Sequence, residues 1–304
     1  MNSKAICRLL KENNNDNDNA ATTTAATTDG IVAGKSRWSS GGSKRYRLDI
    51  TDVANAALFL AAFVGLWQLV IVLELWPKTL LPSPILVAIS ISELIANNSL
   101  VIGIGTSLWR LAAGFAISIA VGGAVGLAMV KFQGFGKTMG SFAVGLLTFP
   151  SIAWVPFSIL LIGFNDFGIL FVVVMASVFS VMISTYSAVR NVPPIYIRAS
   201  KNMGAHGFAL FRHVMIPAAT PSLIMGIRQA WSFAWHALIG AEMLITTLYG
   251  LGHLLSVGRE FNDMSQIIAI MITVFAIGLL FDRIIFLRLE EKIRSRWGLN
   301  QHTE

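Results

Sequence analysis

The chain has 304 residues, of which 55% are hydrophobic and only 13% are charged, and its net charge is +7. Average soluble domains contain about 25% charged residues, so this deficit excludes an ordinary soluble domain and indicates a membrane protein. The single cysteine, Cys7, excludes an intrachain disulfide. The spacing of the five histidines matches no metal-binding pattern, so we expect no metal ion.

Residues 1–50 are polar and repetitive, with runs such as NNNDNDN and ATTTAATT. Such a segment has too little apolar side-chain surface to offset the entropy of ordering. We predict a disordered N-terminal tail over residues 1–50, a transmembrane domain over residues 51–297 and a short C-terminal tail over residues 298–304.

Six apolar segments recur after the tail. A helix needs about 20 apolar residues to cross a bilayer, and its backbone must be hydrogen-bonded internally there. We therefore predict an all-α, polytopic protein with six transmembrane helices, at residues 56–76, 100–130, 139–163, 168–189, 222–247 and 266–287. A short amphipathic run at residues 85–94 predicts one further helix on the outer surface.

Lysine and arginine are distributed unevenly among the connections. If the N-terminus is cytoplasmic, they collect in the tail, in the second connection, in the connection before the fifth span and at the C-terminal end, whereas the outer connections keep only Lys78 and Arg259. Positively charged connections remain on the cytoplasmic side, so we predict that both termini lie in the cytoplasm. The excess of basic residues is thereby explained without a nucleic-acid partner.

The second apolar segment carries four small residues at four-residue spacing, Gly114, Ser118, Gly122 and Gly126. Small residues on one helix face let two backbones approach closely inside a membrane. The pattern predicts that this face packs within the bundle, with a role at a dimer axis as the alternative.

Catalytic constellations are absent from the sequence. Gly136-Lys137-Thr138 ends like a phosphate-binding loop, but Lys131 stands where that pattern requires a glycine. We therefore expect that this chain is not an enzyme and binds no cofactor.

Residues 193–217 interrupt the apolar chain with basic residues and glycines. Pro193-Pro194 is typical of a helix start, and Gly204 suits a turn. A second short helix is predicted after that turn, with Pro217 and Pro221 marking the entry to the fifth span. One interpretation is an ordinary basic cytoplasmic loop, and the other is a surface on which another protein docks.

The same residues carry a family resemblance. Arg198, Ala199 and Ser200 stand at the first three places of the EAA motif, with arginine in place of its acid and serine in place of its second alanine. The remaining places are taken by Gly204, followed by Ala205, and then by Val214, Ile216 and Pro217. The segment resembles the coupling loop of binding-protein-dependent ABC importer permeases, and flanking stretches such as TFPSIAWVPFSILLIGF are similar to the nitrate, bicarbonate, sulfonate and taurine group.

The resemblance implies a type I ABC importer permease fold and an ATP-driven importer in the bacterial inner membrane. It also implies a homodimer, two cytoplasmic ATPase subunits that bind ATP and Mg²⁺, and an external solute-binding protein. The solute expected from the nearest resemblance, to cyanobacterial permeases, is nitrate or nitrite. A bicarbonate or sulfonate/taurine permease is the alternative, and a secondary transporter is a further one.

The charged residues inside the apolar segments include Arg110 and Glu242. Charges at this depth are costly and mark functional candidates. Arg110 either extends to the membrane surface, pairs with a carboxylate or contacts the solute. Glu242 would repel an anion unless it is paired, so we predict an Arg110–Glu242 pair.

The translocation pathway has two sets of candidates. Pro150 and Pro156 break the third segment, and the nearby Phe149, Trp154 and Phe157 form either an apolar constriction or ordinary packing. In the fifth segment, Arg228, Trp235 and His236 are candidates to donate hydrogen bonds to a passing anion. The alternative for His236 is that it is neutral and hydrogen-bonded within the bundle.

Overall fold

The computed structural model describes residues 50–296 except residues 75, 78, 79 and 246. The predicted tails, apart from residue 50, lie outside the described residues. The chain divides into two units, residues 1–59 and 60–304, and the first contributes only the beginning of one described helix.

Helices account for the regular structure of the described residues, which form no β-strand, so the predicted all-α class is confirmed. In chain order they are α1 (Ile50–Val72), α2 (Pro84–Ala96), α3 (Ser99–Lys131), α4 (Gln133–Leu147), α5 (Trp154–Leu161), α6 (Asp166–Arg190), α7 (Pro194–Asn202), α8 (Gly207–Leu244), α9 (Leu251–Glu260), α10 (Met264–Phe281) and α11 (Arg288–Arg296).

Among the described residues, four helical stretches are long and apolar enough to cross a membrane. Three are α3, α6 and α8, and the fourth is the stretch Met264–Ile293, in which the π-helical segment Asp282–Leu287 joins α10 to α11. A fifth span results if a bent helix pair is counted as one. The predicted number of six therefore stays a prediction.

The third predicted span is not one straight helix. The stretches Gln133–Leu147 and Ser151–Leu161 meet at 92°. Pro150 stands at the break, because its ring fixes φ and it has no N–H to continue a helix. Pro156 lies in the first turn of α5, where the missing N–H has no helical partner to lose.

The short amphipathic run after the first apolar segment is a helix, α2, as predicted. Its sequence supplies a strong start, because Ser83 precedes Pro84 at the first helical position. The Ser83 hydroxyl accepts a hydrogen bond from the N–H of Leu86, which satisfies one of the free donors of the first turn.

The small-residue stripe of α3 packs against α6, which confirms that it lies within the bundle. The Ser118 hydroxyl lies 2.8 Å from that of Ser177, 59 residues further along. Gly114 and Gly126 face Val173 and Thr185, which stand at the same offset. A constant offset means that the two helices run parallel.

A second close pair of helices is formed by α6 and α8. The face of α8 that enters the core is lined with alanines, which let another backbone approach closely. The fully buried members of this face are Ala230, Ala234, Ala237, Leu238 and Ala241. The core of the bundle therefore lies between α3, α6 and α8.

The segment after Gly204 is not a separate short helix, contrary to the sequence prediction. It is the beginning of α8, which continues without a break from Gly207 to Leu244. A π-helical turn at Phe211–Met215 precedes Pro217, and the N–H of Ile216 bonds to the carbonyl of Phe211. Pro217 has no N–H with which to make an α-type hydrogen bond. In the wider π turn this bond is not required, so the helix continues.

The approach of α3 to α6 predicts different effects at two neighbouring glycines. A Cβ at Gly122 would lie 2.7 Å from the carbonyl oxygen of Val178, whereas a Cβ at Gly123 meets nothing within 4 Å. Gly122→Val should lower the free energy of unfolding by about 1–3 kcal/mol through overpacking. Gly123→Val is the matched control. Thermal unfolding of the two variants in detergent, followed by tryptophan fluorescence, measures the difference, and equal melting temperatures would contradict the close approach.

Candidate functional site

Arg110 of α3 and Glu242 of α8 form an ion pair inside the helix bundle. Nη1 of Arg110 lies 2.8 Å from Oε1 of Glu242, and the two side chains are 4% and 0% exposed. The structure thus brings together the two charges that the sequence pairs. At this burial neither charge is tolerated without a partner, so each residue depends on the other.

Arg110 has further partners at the same end of the bundle. Its Nη2 lies 2.7 Å from Oδ1 of Asp166, the first residue of α6, whose side chain is 62% exposed. Its Nη1 also donates to the carbonyl oxygen of Tyr249 at 2.7 Å. One guanidinium therefore faces two carboxylates, which gives the cluster a negative formal balance. This arrangement favours charge pairing over direct contact between Arg110 and an anionic solute.

The carboxylate of Glu242 also holds the connection between α8 and α9. Its Oε2 accepts hydrogen bonds from the Ser107 hydroxyl at 2.7 Å and from the N–H of Gly252 at 3.1 Å. The Ser107 oxygen in turn accepts from the N–H of Leu251 at 2.9 Å. Gly250 has a φ of +151°, and a Cβ there would lie 2.7 Å from the Glu242 carboxyl group, so only glycine fits.

Sequence analysis did not assign Ser107 or Asp166 to this cluster, although both carry a signal. Ser107 stands three residues before Arg110 and therefore lies on the same helix face. Asp166 is an acidic residue at the beginning of a span that starts at the same end of the bundle as α3. The parallel packing of α3 and α6, which the sequence does not reveal, is what brings Asp166 to Arg110.

Arg228 of α8 lies in a second charged cluster. Its Nε and Nη2 each lie 2.6 Å from one oxygen of Asp282, which makes a bidentate pair. Nη1 lies 3.6 Å from Oε2 of Glu290 in α11. Sequence analysis offered Arg228 to a passing anion and did not identify these two carboxylates. The guanidinium is occupied by them, so its charge is compensated.

The aromatic residues at the break of the third segment do meet. Trp154 lies edge-on to Phe149 and to Phe157, with ring centroids 5.4 and 6.0 Å apart. Phe171 of α6 joins them at 6.4 Å from Trp154 and was not predicted. Phe149 and Phe157 keep nearly half of their surface exposed. An apolar cluster with an open side is compatible with both predicted roles, constriction and packing.

Trp235 and His236 are neighbours in sequence but lie on different sides of α8. Trp235 is 7% exposed and belongs to the hydrophobic core, beside Gly278 of α10. His236 is exposed on the opposite side of the helix. Of the donors that sequence analysis proposed in this segment, His236 is thus the one that is open to its surroundings.

The predicted coupling segment forms a projecting helix and a turn. Arg198, Ala199 and Ser200 lie on α7, and the chain turns at Gly204, where φ is +89°. The N–H of Ala205 bonds to the carbonyl of Ser200 at 2.9 Å, which closes the turn.

The last three motif residues, Val214, Ile216 and Pro217, lie in the first turns of α8, which anchor the segment. A small apolar cluster that includes Val189, Val192 and Phe211 fixes it to the bundle. The segment also exposes large apolar side chains: Ile195, Tyr196, Met203 and Phe208.

Comparison with known proteins agrees with this architecture. Residues 114–294 match the family described as binding-protein-dependent transport system inner membrane component. A putative ABC transporter permease protein of Methanocaldococcus jannaschii is 31% identical over 190 residues, which are 62% of this chain and 71% of the relative.

Some relatives carry a solute in their names. A putative aliphatic sulfonates transport permease protein of Escherichia coli is 30% identical over 240 residues, 79% of this chain and 90% of the relative. A bicarbonate transport system permease protein of Synechocystis is 29% identical over 177 residues, 58% of this chain and 63% of the relative.

The buried ion pair predicts that a second substitution restores part of the stability that the first substitution removes. Arg110→Met leaves the charge of Glu242 buried without its main partner, and we expect a loss of about 3–5 kcal/mol in the free energy of unfolding. Adding Glu242→Gln removes that charge and keeps an acceptor for Ser107, so the double variant should be more stable than Arg110→Met alone. Chemical denaturation in detergent measures both.

Asp166→Asn is the control for this pair, because its side chain is largely exposed and its loss should cost about 0–1 kcal/mol. If the losses of Arg110→Met and Glu242→Gln simply add in the double variant, the two residues do not form an energetic pair.

Proposed function

Because this chain belongs to the family of binding-protein-dependent transport system inner membrane components, it is the permease component of an ABC transporter, and we propose that it imports an aliphatic sulfonate. It is a multi-pass membrane protein and not an enzyme, and ATP is hydrolysed by separate subunits. The family implies an ATPase and a substrate-binding protein as its partners.

The similarity to the aliphatic sulfonates permease supports this choice of solute. That similarity extends over 79% of this chain and 90% of the relative. The bicarbonate permease covers a smaller part of both chains, and bicarbonate is the second candidate that this similarity favours. Nitrate, which the resemblance in the sequence favours, is named in none of the three relatives described above.

The charge arrangement in the membrane helices supports a monoanionic solute that is bound only in passing. Both arginines that sequence analysis offered to an anion are held by carboxylates, Arg110 by Asp166 and Glu242, and Arg228 by Asp282. Neither of these two arginines is therefore a free cation that would trap an anion. High affinity for the solute then belongs to the external binding protein.

We assign the ATPase-docking surface to residues 193–217. The projecting α7, the turn at Gly204 and the exposed apolar side chains Met203 and Phe208 give a protein partner both shape and apolar surface. In the proposed assembly, two copies of this chain cross the bilayer. Both termini and this segment of each copy lie in the cytoplasm, and one ATPase binds to each copy.

The experiment that tests the solute uses the assembled transporter in lipid nanodiscs together with its binding protein. ATP hydrolysis is measured with ethanesulfonate, taurine, bicarbonate, nitrate and no solute. We expect ethanesulfonate or taurine to stimulate hydrolysis several-fold over the rate without solute. Stimulation by bicarbonate or nitrate alone would overturn the sulfonate assignment and select that anion instead.

The turn at Gly204 predicts an effect on coupling that depends on backbone conformation. A Cβ at this position meets nothing within 4 Å, but φ is +89°, which a branched side chain disfavours. Gly204→Val should leave the protein in the membrane while lowering solute-stimulated ATPase activity about tenfold or more. Gly204→Asn should be much milder, because asparagine tolerates positive φ.

Gly134→Val is the matched control for the coupling test. Gly134 also has open space around its Cβ position but lies in ordinary helical backbone. Co-purification of the ATPase and solute-stimulated hydrolysis are measured for all three variants. Full coupling in Gly204→Val would remove the docking role from this turn.

A further inference from the structure

One face of α8 carries four polar residues although the helix is long enough to cross a membrane. At 100° per residue, its members fall within an arc of about 100°. The polar members are Ser222, Gln229, Ser232 and His236, and the others are Met225, Phe233, Gly240 and Met243. Ser222, Gln229 and His236 are exposed and Ser232 is half-buried. We call this face the polar stripe of α8.

The orientation of the polar stripe is fixed by the other side of the helix. The alanines of α8, together with Trp235 and Leu238, are buried in the core. Glu242, on that side too, is held by Arg110 and Ser107. The helix is therefore unable to rotate the stripe inward without exposing an ion pair and breaking the core.

Lipid is an unsuitable neighbour for such a face. In the hydrocarbon layer, amide, hydroxyl and imidazole groups find no hydrogen-bond partners, and each unpaired group costs free energy. Polar residues in membrane helices face the interior of an assembly or a water-filled cavity. Gln229, Ser232 and His236, seven residues from end to end, therefore mark a surface that water or a solute reaches.

The break in the third segment lies beside the polar stripe. Ile152, between the stretches that meet at 92°, has its Cδ1 only 3.0 Å from where a Cβ of Gly240 would lie. Non-helical backbone at membrane depth is tolerated where it is buried or lines a cavity. Ile152 stands between Phe149 and Trp154 in the sequence, so the aromatic cluster adjoins the place where the stripe meets the break.

Resting on the proposed function for the class of solute, we infer that the polar stripe lines the solute path and donates hydrogen bonds to sulfonate oxygens. The donors are the side-chain amide of Gln229, the hydroxyls of Ser222 and Ser232, and an imidazole N–H of His236. A sulfonate carries one negative charge over three acceptor oxygens. Amide and hydroxyl donors bind it weakly, which allows it to enter and to leave, whereas a free arginine would retain it.

The test introduces single cysteines along the stripe in the assembled transporter, in a Cys7→Ser background. The variants are Gln229→Cys, Ser232→Cys and His236→Cys. The probe is 2-sulfonatoethyl methanethiosulfonate, a water-soluble thiol reagent whose charged end is itself a short alkanesulfonate. Labelling rates are measured without nucleotide, with ATP, and with vanadate and ATP.

Two controls separate the stripe from its surroundings. Ala237→Cys lies next to His236 in sequence but is 2% exposed and faces the core. Phe275→Cys lies on a face of α10 that is exposed and apolar. Neither should react, because the core excludes water and an apolar outer face meets lipid. The stripe cysteines should react at least tenfold faster, and ethanesulfonate should slow their labelling.

Three outcomes overturn the inference. Stripe cysteines that stay unlabelled in every nucleotide state do not line a path. Unlabelled stripe cysteines that form disulfide-linked dimers instead mark a contact between two copies of the chain. If the transporter imports ethanesulfonate but ethanesulfonate does not slow the labelling, water reaches the stripe and the solute does not contact it.

Transport kinetics give a second readout on the same residues. Gln229→Leu removes one neutral donor to a charged group, and we expect about a tenfold loss in the rate of solute import at an unchanged affinity of the binding protein. Met225→Leu, on the same stripe, should change little. Equal import rates in the two variants would contradict a donor role for Gln229.

The experiment keeps the two proposals distinguishable. Suppose that the stripe cysteines react, that only bicarbonate stimulates the ATPase and that bicarbonate slows the labelling. The stripe then still lines the path, and the solute is bicarbonate instead of a sulfonate. Ethanesulfonate-stimulated hydrolysis with unreactive stripe cysteines retains the solute and places its path elsewhere.

Discussion

The ion pair between Arg110 and Glu242 closes one end of the bundle, because it joins helices that are 132 residues apart in sequence. A charge buried this deeply is tolerated only with a partner and with most of its remaining hydrogen-bonding capacity filled. Ser107 and the backbone of Gly252 satisfy Glu242, whereas Asp166 and the carbonyl of Tyr249 occupy the terminal nitrogens of Arg110 and its buried Nε has no hydrogen-bond partner among the described residues. The position of α9, the connection before it and the beginning of α6 are therefore consequences of one buried carboxylate and its guanidinium.

Near the middle of α8, Arg228 and Asp282 form a second ion pair between different helical segments. The helix between the two pairs runs on into the projecting segment, so that 38 residues from Gly207 to Leu244 form one rod of about 57 Å. Its first half contains the π-helical turn at Phe211–Met215 and the internal Pro221, which are the kinds of position at which a long helix bends. Ion pairs hold it to α3 near one end and to the π-helical segment after α10 further along, so those contacts move with it or break.

Several elements follow from local chemistry, and others depend on distant partners. The amphipathic run at residues 85–94 predicts α2, glycine predicts the turn at 204, and four small residues predict a packed face, since each signal lies within one short stretch of sequence. The merger of the predicted short helix into α8 was not foreseen, because a π turn before Pro217 cancels the proline's usual effect. Asp282 was not foreseen as the partner of Arg228, because that contact depends on how α8 and α10 pack.

The paired arginines also decide what remains available to a solute. Sequence analysis offered positive charge to an anion, yet the structure compensates that charge locally at Arg110 and at Arg228. The polar stripe of α8 retains amide, hydroxyl and imidazole donors along one arc, on the side where Ile152 of the broken segment packs. Such a surface distinguishes solutes by size and by the number of acceptor oxygens more than by charge. Selection among anions then falls to the protein that delivers the solute, and the membrane helices need only let it pass.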